Sequence, residues 1–137
     1  MTDAIKKLFE EYEKAFNALE VEKQVALFAE HFISAGPLGS IALGRDEFAR
    51  MAGKAAQFYR SVGQTSVKIL RMDETAISGE YSMVKVRWGA TFAKTGNKLI
   101  EFDVTYFIQK TGPEPKIIMF IAHQDEERAM KELGLLG

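Results

Sequence analysis

The spacing of apolar residues changes at Gly63, and that change constrains the fold of this 137-residue chain more than any other feature. Before Gly63 the apolar positions recur every three or four residues; after it they alternate. Helices first and strands afterwards predict an α+β fold, with N-terminal helices packed on one face of a curved antiparallel sheet.

Residues 3 to 19 place Ile5, Leu8, Phe9, Tyr12, Phe16 and Leu19 on one helical face and Glu10, Glu11, Glu13 and Lys14 on the other, with Asp3 available as a cap. A second helical segment is predicted from about Val21 to His31, burying Val25, Phe28 and, as the chain leaves it, Phe32. The run Gly36, Pro37, Leu38, Gly39 breaks it. A short strand through Ile41 to Leu43 follows, then a third helix from about Asp46 to Val62 whose Phe48, Met51, Ala52, Ala55, Phe58 and Val62 share a face.

Four strands are predicted near Ser66 to Met72, Glu80 to Ala93, Leu99 to Lys110 and Lys116 to Gln124. Turn residues at Ser78 and Gly79, at Thr95 to Asn97 and at Thr111 to Pro115 join them as an antiparallel meander. In the second strand Val84, Val86, Trp88, Ala90 and Phe92 alternate with Lys85, Arg87 and Thr91, so Trp88 points inward. A short helix from about Glu126 to Leu133, stopped at Gly134, ends the pattern. A strongly bent sheet leaves a cone between itself and the helices, and that cone is the expected site.

With 47% hydrophobic and 27% charged residues, residues 1 to 137 read as one domain. A net charge of −1 with interspersed signs supplies no basic field for nucleic acid. The chain has no cysteine, so disulfides and thiolate chemistry are excluded. Its two histidines, without ligand spacing, make no metal site. His31 reads as an exposed residue at a helix end. No apolar run reaches the roughly 20 residues of a membrane span, and no dinucleotide, phosphate-loop or hydrolase motif occurs. The expectation is a cytoplasmic protein with no cofactor, no metal, no nucleic acid and no membrane partner.

The strand Glu101 to Ile108 is the most suggestive stretch for function, because a carboxylate and a hydroxyl interrupt apolar residues. Facing a closed cavity, each would cost several kcal/mol without a partner, which makes the face carrying them a candidate binding surface.

Three segments resemble the nuclear transport factor 2-like superfamily, and within it the SnoaL-like polyketide cyclases and ketosteroid isomerases. They are Tyr12 to Phe28, the turn at 36 to 39, and the stretch from Lys116 to Gly137 with its LGLL ending. The resemblance implies a cone-shaped pocket and a homodimer. Residue by residue, Tyr12 matches the tyrosine that donates to the substrate oxygen in the isomerases. Gly36 falls where their base stands, and Thr105 where their protonated acid stands. Phe120, Ile121 and Ala122 replace the His-Trp-Asp run of many cyclase-like members. General acid or base catalysis contributes about two to four powers of ten, and Gly36 supplies none of it.

That register sets Asp103 on the same face as Thr105, about 6.5 Å along the strand. Asp103 is therefore a candidate relocated acid or base, its pKa raised by Trp88, Phe120 and Phe28 around it. Two other readings stand beside it: Asp103 bonds a helix backbone or a neighbouring side chain, or the strand takes the opposite register and Phe102, Val104, Tyr106 and Ile108 fill the cone. Tyr12 and the group of Trp88, Phe28, Met51, Phe92 and Phe120 read equally as core. By parity Gln124 points inward and His123 outward. Asp125 matches an acid common before the last helix in the cyclase-like group, or caps that helix.

Lys85, Arg87, Thr91, Val104, Tyr106, Ile117, Met119 and Ile121 are expected on the outer sheet face, whose apolar members call for a homodimer. The reading is a domain for a small apolar, oxygen-bearing molecule. Tyr12, Phe28, Met51, Trp88, Asp103, Thr105, Phe120 and Gln124 are its candidate contacts, and Asp103 and Tyr12 its candidate catalytic pair. The alternative is a non-catalytic dimerisation or protein-interaction module whose cone is filled by its own side chains.

Overall fold

The computed structural model describes residues 2–61, 63–93, 96 and 99–124. Helices α1 (Asp3–Asn17), α2 (Val21–Val25) and α3 (Arg45–Ser61) accompany strands β1 (Phe28–Gly36), β2 (Gly39–Gly44), β3 (Gln64–Ala76), β4 (Tyr81–Phe92), β5 (Ile100–Gln109) and β6 (Lys116–Ala122). The strands form one sheet in the order β2-β1-β6-β5-β4-β3. The β1–β6 pair is parallel and the other pairs are antiparallel. The α+β expectation and the meander from β3 to β6 stand. Asp125 and the helix expected from Glu126 to Leu133 lie outside the described residues.

Helix α1 buries Ile5, Leu8, Phe9, Tyr12 and Ala15, the stripe its spacing requires. Thr2, not Asp3, occupies the N-cap position, and its side chain bonds Glu74 instead of the helix. The helix ends in a Schellman arrangement: Glu20 N donates to Ala15 O and Leu19 N to Phe16 O, with Leu19 at φ 54°. A leucine in that conformation is strained, since its Cβ crowds the following carbonyl. The turn it makes sends α2 across the end of α1.

The second helix is far shorter than predicted. It stops at Val25, and Phe28 begins a strand, so His31 lies exposed opposite Gly44 in a ladder and not at a helix end. The reason is non-local. β1 pairs with β6 near the other end of the chain, and the ladder takes five steps along β1, from Phe28 to Ile33, against two along β6, from Ile117 to Met119. At that irregularity Arg45 donates through Nε (3.0 Å) and Nη2 (2.6 Å) to the Phe28 carbonyl, tying the start of α3 to the bend. The Gly36 to Gly39 run is the hairpin between β1 and β2, and Gly39 has φ 128°. Gly63, where the apolar period changes, adopts φ 71° between α3 and β3.

Helix α1 also closes the free edge of β3. Asn17 accepts from Val67 N through Oδ1 (2.7 Å) and donates to Val67 O through Nδ2 (2.6 Å), while Glu13 Oε2 accepts from Ile69 N (2.8 Å). Side chains thus do what a seventh strand would do, and the edge offers less for another chain to pair with.

Between helices and sheet lie Phe9, Phe28, Phe92, Ile108, Ile117, Val84 and Val86, each fully buried. Each contributes about 1.5–3 kcal/mol by leaving water. No described helix is long and apolar enough to cross a membrane.

Candidate functional site

The cone is not filled. A cavity of about 230 Å³ remains between α1, α2 and α3 on one side and β3 to β6 on the other. Ala52, Ala55 and Ala56 of α3 make room for it, since larger side chains there would close the space against the sheet. Leu19 and Gln24, carried over the cavity by the α1–α2 turn, line it from the helical side together with Tyr12, Phe16, Phe48 and Tyr59. The sheet contributes Val67, Trp88, Ala90, Phe92, Phe102, Val104, Tyr106, Phe120 and Ala122.

Aromatic rings dominate this wall. The Tyr12 ring lies 5.4 Å from Trp88 and 5.8 Å from Tyr106, and Phe16 lies 6.1 Å from Trp88, centroid to centroid. Trp88 Nε1 donates to the Tyr106 hydroxyl at 3.0 Å, so the buried indole N–H is satisfied within the wall. Among the described residues the polar groups of the lining are the Tyr12, Tyr59 and Tyr106 hydroxyls, the Trp88 N–H and the Gln24 carboxamide. No described Asp, Glu, His, Lys or Arg lines the cavity.

Strand β5 takes the second of the registers open to it. Phe102, Val104, Tyr106 and Ile108 face inward, opposite Trp88, Val86, Val84 and Ser82 of β4. Asp103 and Thr105 therefore lie on the outer face, paired with Arg87 and Lys85, and do not meet the cavity. The apolar surroundings invoked for an Asp103 acid are absent. Its carboxylate accepts from Gln124 Nε2 (3.2 Å) and stands 3.9 Å from Arg87 Nη1, while its N–H donates to Gln124 Oε1 (2.8 Å). Gln124, expected inward, is exposed and braces Asp103. His123 is exposed as expected and bonds Thr105 Oγ1 through Nε2 at 2.7 Å.

Three further expectations need correction. Met51 is 52% exposed and outside the cavity, because the inward stripe of α3 runs through Phe48, Ala52, Ala55, Ala56 and Tyr59. Phe28 is fully buried but stands behind the lining, 6.0 Å from Tyr12 and 4.7 Å from Phe48. Val104, Tyr106 and Ile117, assigned to the outer face, are inward. Ile117 pairs with inward Ile108, and the register shift beyond it puts Met119 opposite outward Phe107. Tyr12, Trp88 and Phe120 do line the cavity. Gln24 and Tyr59 were missed, and Tyr106 was placed inward only in the alternative register of its strand. Tyr59 could have been found from its helical spacing to Ala52, Ala55 and Ala56.

The described residues contain no cluster of three or more His, Asp or Glu that could hold a metal ion. A family model described as NTF2-like protein (DUF6841) matches residues 2–125. The chain belongs to that NTF2-like family. No curated protein matches it.

Among solved structures it is similar to an NTF2-like protein from Shewanella oneidensis, with a TM-score of 0.75 at 19% identity over 89% of this chain and 98% of that one. A protein with a cystatin-like fold from Nostoc punctiforme gives 0.70 at 14% identity over 89% of each chain. A protein from Novosphingobium aromaticivorans, provisionally named scytalone dehydratase, gives 0.71 at 18% identity over 87% of this chain and 80% of that one. At these identities the likeness is one of NTF2-like, cystatin-like fold alone.

Proposed function

We propose that this NTF2-like chain is a cytoplasmic binding domain for a small, uncharged, largely aromatic molecule held in the cone. The carrying observation is the cavity itself, about 230 Å³ walled by aromatic rings with hydroxyls and one carboxamide among them. A dry apolar cavity of about 150 Å³ holds benzene, so this one suits a molecule of one or two rings and is too small for a four-ring steroid.

Charge argues the same way. An ionised ligand would be buried without a described counter-ion, at a cost of several kcal/mol. A proton-transfer reaction would lack a described carboxylate, histidine or lysine in the cavity wall. Binding is thus better supported than isomerase or cyclase chemistry, and Tyr12, Trp88, Tyr106 and Phe120 are the contacts. Titration with naphthalene, followed by calorimetry and by Trp88 fluorescence, should show saturable one-to-one binding, whereas a steroid should not bind. Replacing Ala55 with Phe should fill the space and abolish naphthalene binding without unfolding the protein. Binding that survives this substitution would place the ligand elsewhere, and no binding by the unaltered chain would return the cone to a packing role.

We also propose a homodimer through the outer sheet face. There Ile33 and Ile121 are 42% and 37% exposed beside half-buried Phe107 and Met119, an apolar patch that no described helix covers. Light scattering on a size-exclusion column should give twice the chain mass of 15.4 kDa at micromolar concentration, and the chain mass itself would refute it.

A further inference from the structure

Two polar side chains are buried among the described residues, Ser82 and Gln24. Ser82 is satisfied, its hydroxyl donating to Glu74 Oε2 at 2.8 Å. Gln24 is not. It is 8% exposed, it lines the cavity, and its carboxamide has no hydrogen-bond partner among the described residues; only its backbone is bonded, to Glu20 and Leu27.

A primary amide brings two donors and an acceptor into the wall. Leaving them unmatched is among the more destabilising things a fold can do, and an apolar residue of the same length would avoid it. Solvent in the cavity is the remaining partner. A ligand that displaces this solvent must replace its bonds or lose affinity.

We propose that Gln24 reads the ligand's polar function, and that it selects an uncharged ring compound carrying an N–H donor and a C=O acceptor on adjacent atoms, a lactam or a carboxamide. Such a group forms two bonds with the Gln24 amide at once, satisfying one donor and the acceptor together. A lone ketone or phenol engages one side of the amide only. A carboxylate would leave an unpaired charge beside aromatic rings. The proposal rests on the cone being a binding cavity.

Calorimetry with 2-quinolinone, naphthalene and 2-naphthoate separates these ligands, because the three share a two-ring frame and differ in its polar group. The unaltered chain should bind 2-quinolinone at least about tenfold tighter than naphthalene, the gain expected of two net hydrogen bonds, and should not bind 2-naphthoate. Gln24→Met, close in size and apolar, should abolish that preference, so that the variant binds 2-quinolinone and naphthalene with equal affinity. The ligand-free variant should also melt higher, by about 3 °C, because a buried amide with no protein partner has been replaced by an apolar side chain.

Equal affinity for 2-quinolinone and naphthalene, or a preference that survives Gln24→Met, would overturn the role of Gln24 and leave cavity binding intact. A lowered melting temperature with unchanged selectivity would make Gln24 structural and overturn it too. Tighter binding of 2-naphthoate would overturn the uncharged class. No binding of either neutral probe would remove the cavity reading and this one together.

Discussion

The two faces of β5 differ in their residues and in the neighbours those residues meet. Inward stand Ile100, Phe102, Val104, Tyr106 and Ile108, all buried; outward stand Glu101, Asp103, Thr105, Phe107 and Gln109, all with solvent access. Each face has an aromatic ring and an oxygen, but the charged and amide side chains stand outward only. The neighbours across the ladder fix which face is which. The inward residues meet Ser82, Val84, Val86, Trp88 and Ala90 on β4 and Ile117, Phe120 and Ala122 on β6; the outward residues meet Tyr81, Met83, Lys85, Arg87 and Gly89 on β4 and Lys116, Met119 and Ile121 on β6, so the basic partners stand on the outer face at the middle of β4. Desolvation then decides, because turning Asp103, Lys85 and Arg87 inward would bury charges that the outer face leaves in water. The charged groups of β4 and β5 sit on the face that leaves the cavity neutral.

The sharpest trial of that contrast is a pair of substitutions. Ile108→Ala removes a fully buried side chain and should destabilise the protein by about 3 kcal/mol, within the range for large-to-small core changes. Asp103→Asn alters an outward group braced by Gln124 and should cost under about 1 kcal/mol. It should also leave naphthalene binding unchanged. Urea midpoints for both variants measure the difference. Comparable losses, or lost binding in Asp103→Asn, would mean that the two faces are not energetically distinct.

The meander was legible because its period of two is local and its turn residues are explicit. On β4 the alternation of Val84, Val86 and Trp88 with Lys85 and Arg87 fixes the face outright. On β5 alignment with the isomerases pulled Thr105 inward, although pairing Val104 with Val86 would have given the observed register. β1 was hidden for another reason. Its strand state depends on β6, more than eighty residues away, and on the Arg45 fork, neither of which leaves a mark between Phe28 and Gly36. Ile117 was misplaced by a register shift that parity cannot foresee. Gln24 gave no signal, because its burial comes from its place beside α3 and not from its own helix.

The smallest expected effect concerns a carboxylate that does follow the inward register. Glu74 pairs with inward Val84, seven residues or about 23 Å along β3 from cavity-lining Val67. Burial alone raises its pKa, but hydrogen bonds from the Thr2 N–H, the Ser82 hydroxyl and the Thr2 hydroxyl, with the Lys110 charge, outweigh burial and hold it below the ordinary value. Asp103, by contrast, receives one amide and a distant guanidinium. A carboxylate on the inward side is thus tolerated where three donors converge on it, at the sheet edge where α1 begins.

Because the folded-state pKa of Glu74 is lowered, its contribution to stability is present above the ordinary carboxylate range and is lost as pH falls through the folded value. Glu74→Gln should therefore melt slightly below the unaltered chain at about pH 6, by an amount well under 1 kcal/mol, and the two should converge near about pH 3. A constant difference at both pH values would show that the bonds to Thr2 and Ser82 matter for their geometry and not for the charge they stabilise. The inward face would then tolerate a carboxylate for reasons of shape alone, and the electrostatic account of why Asp103 faces outward would lose its closest internal control.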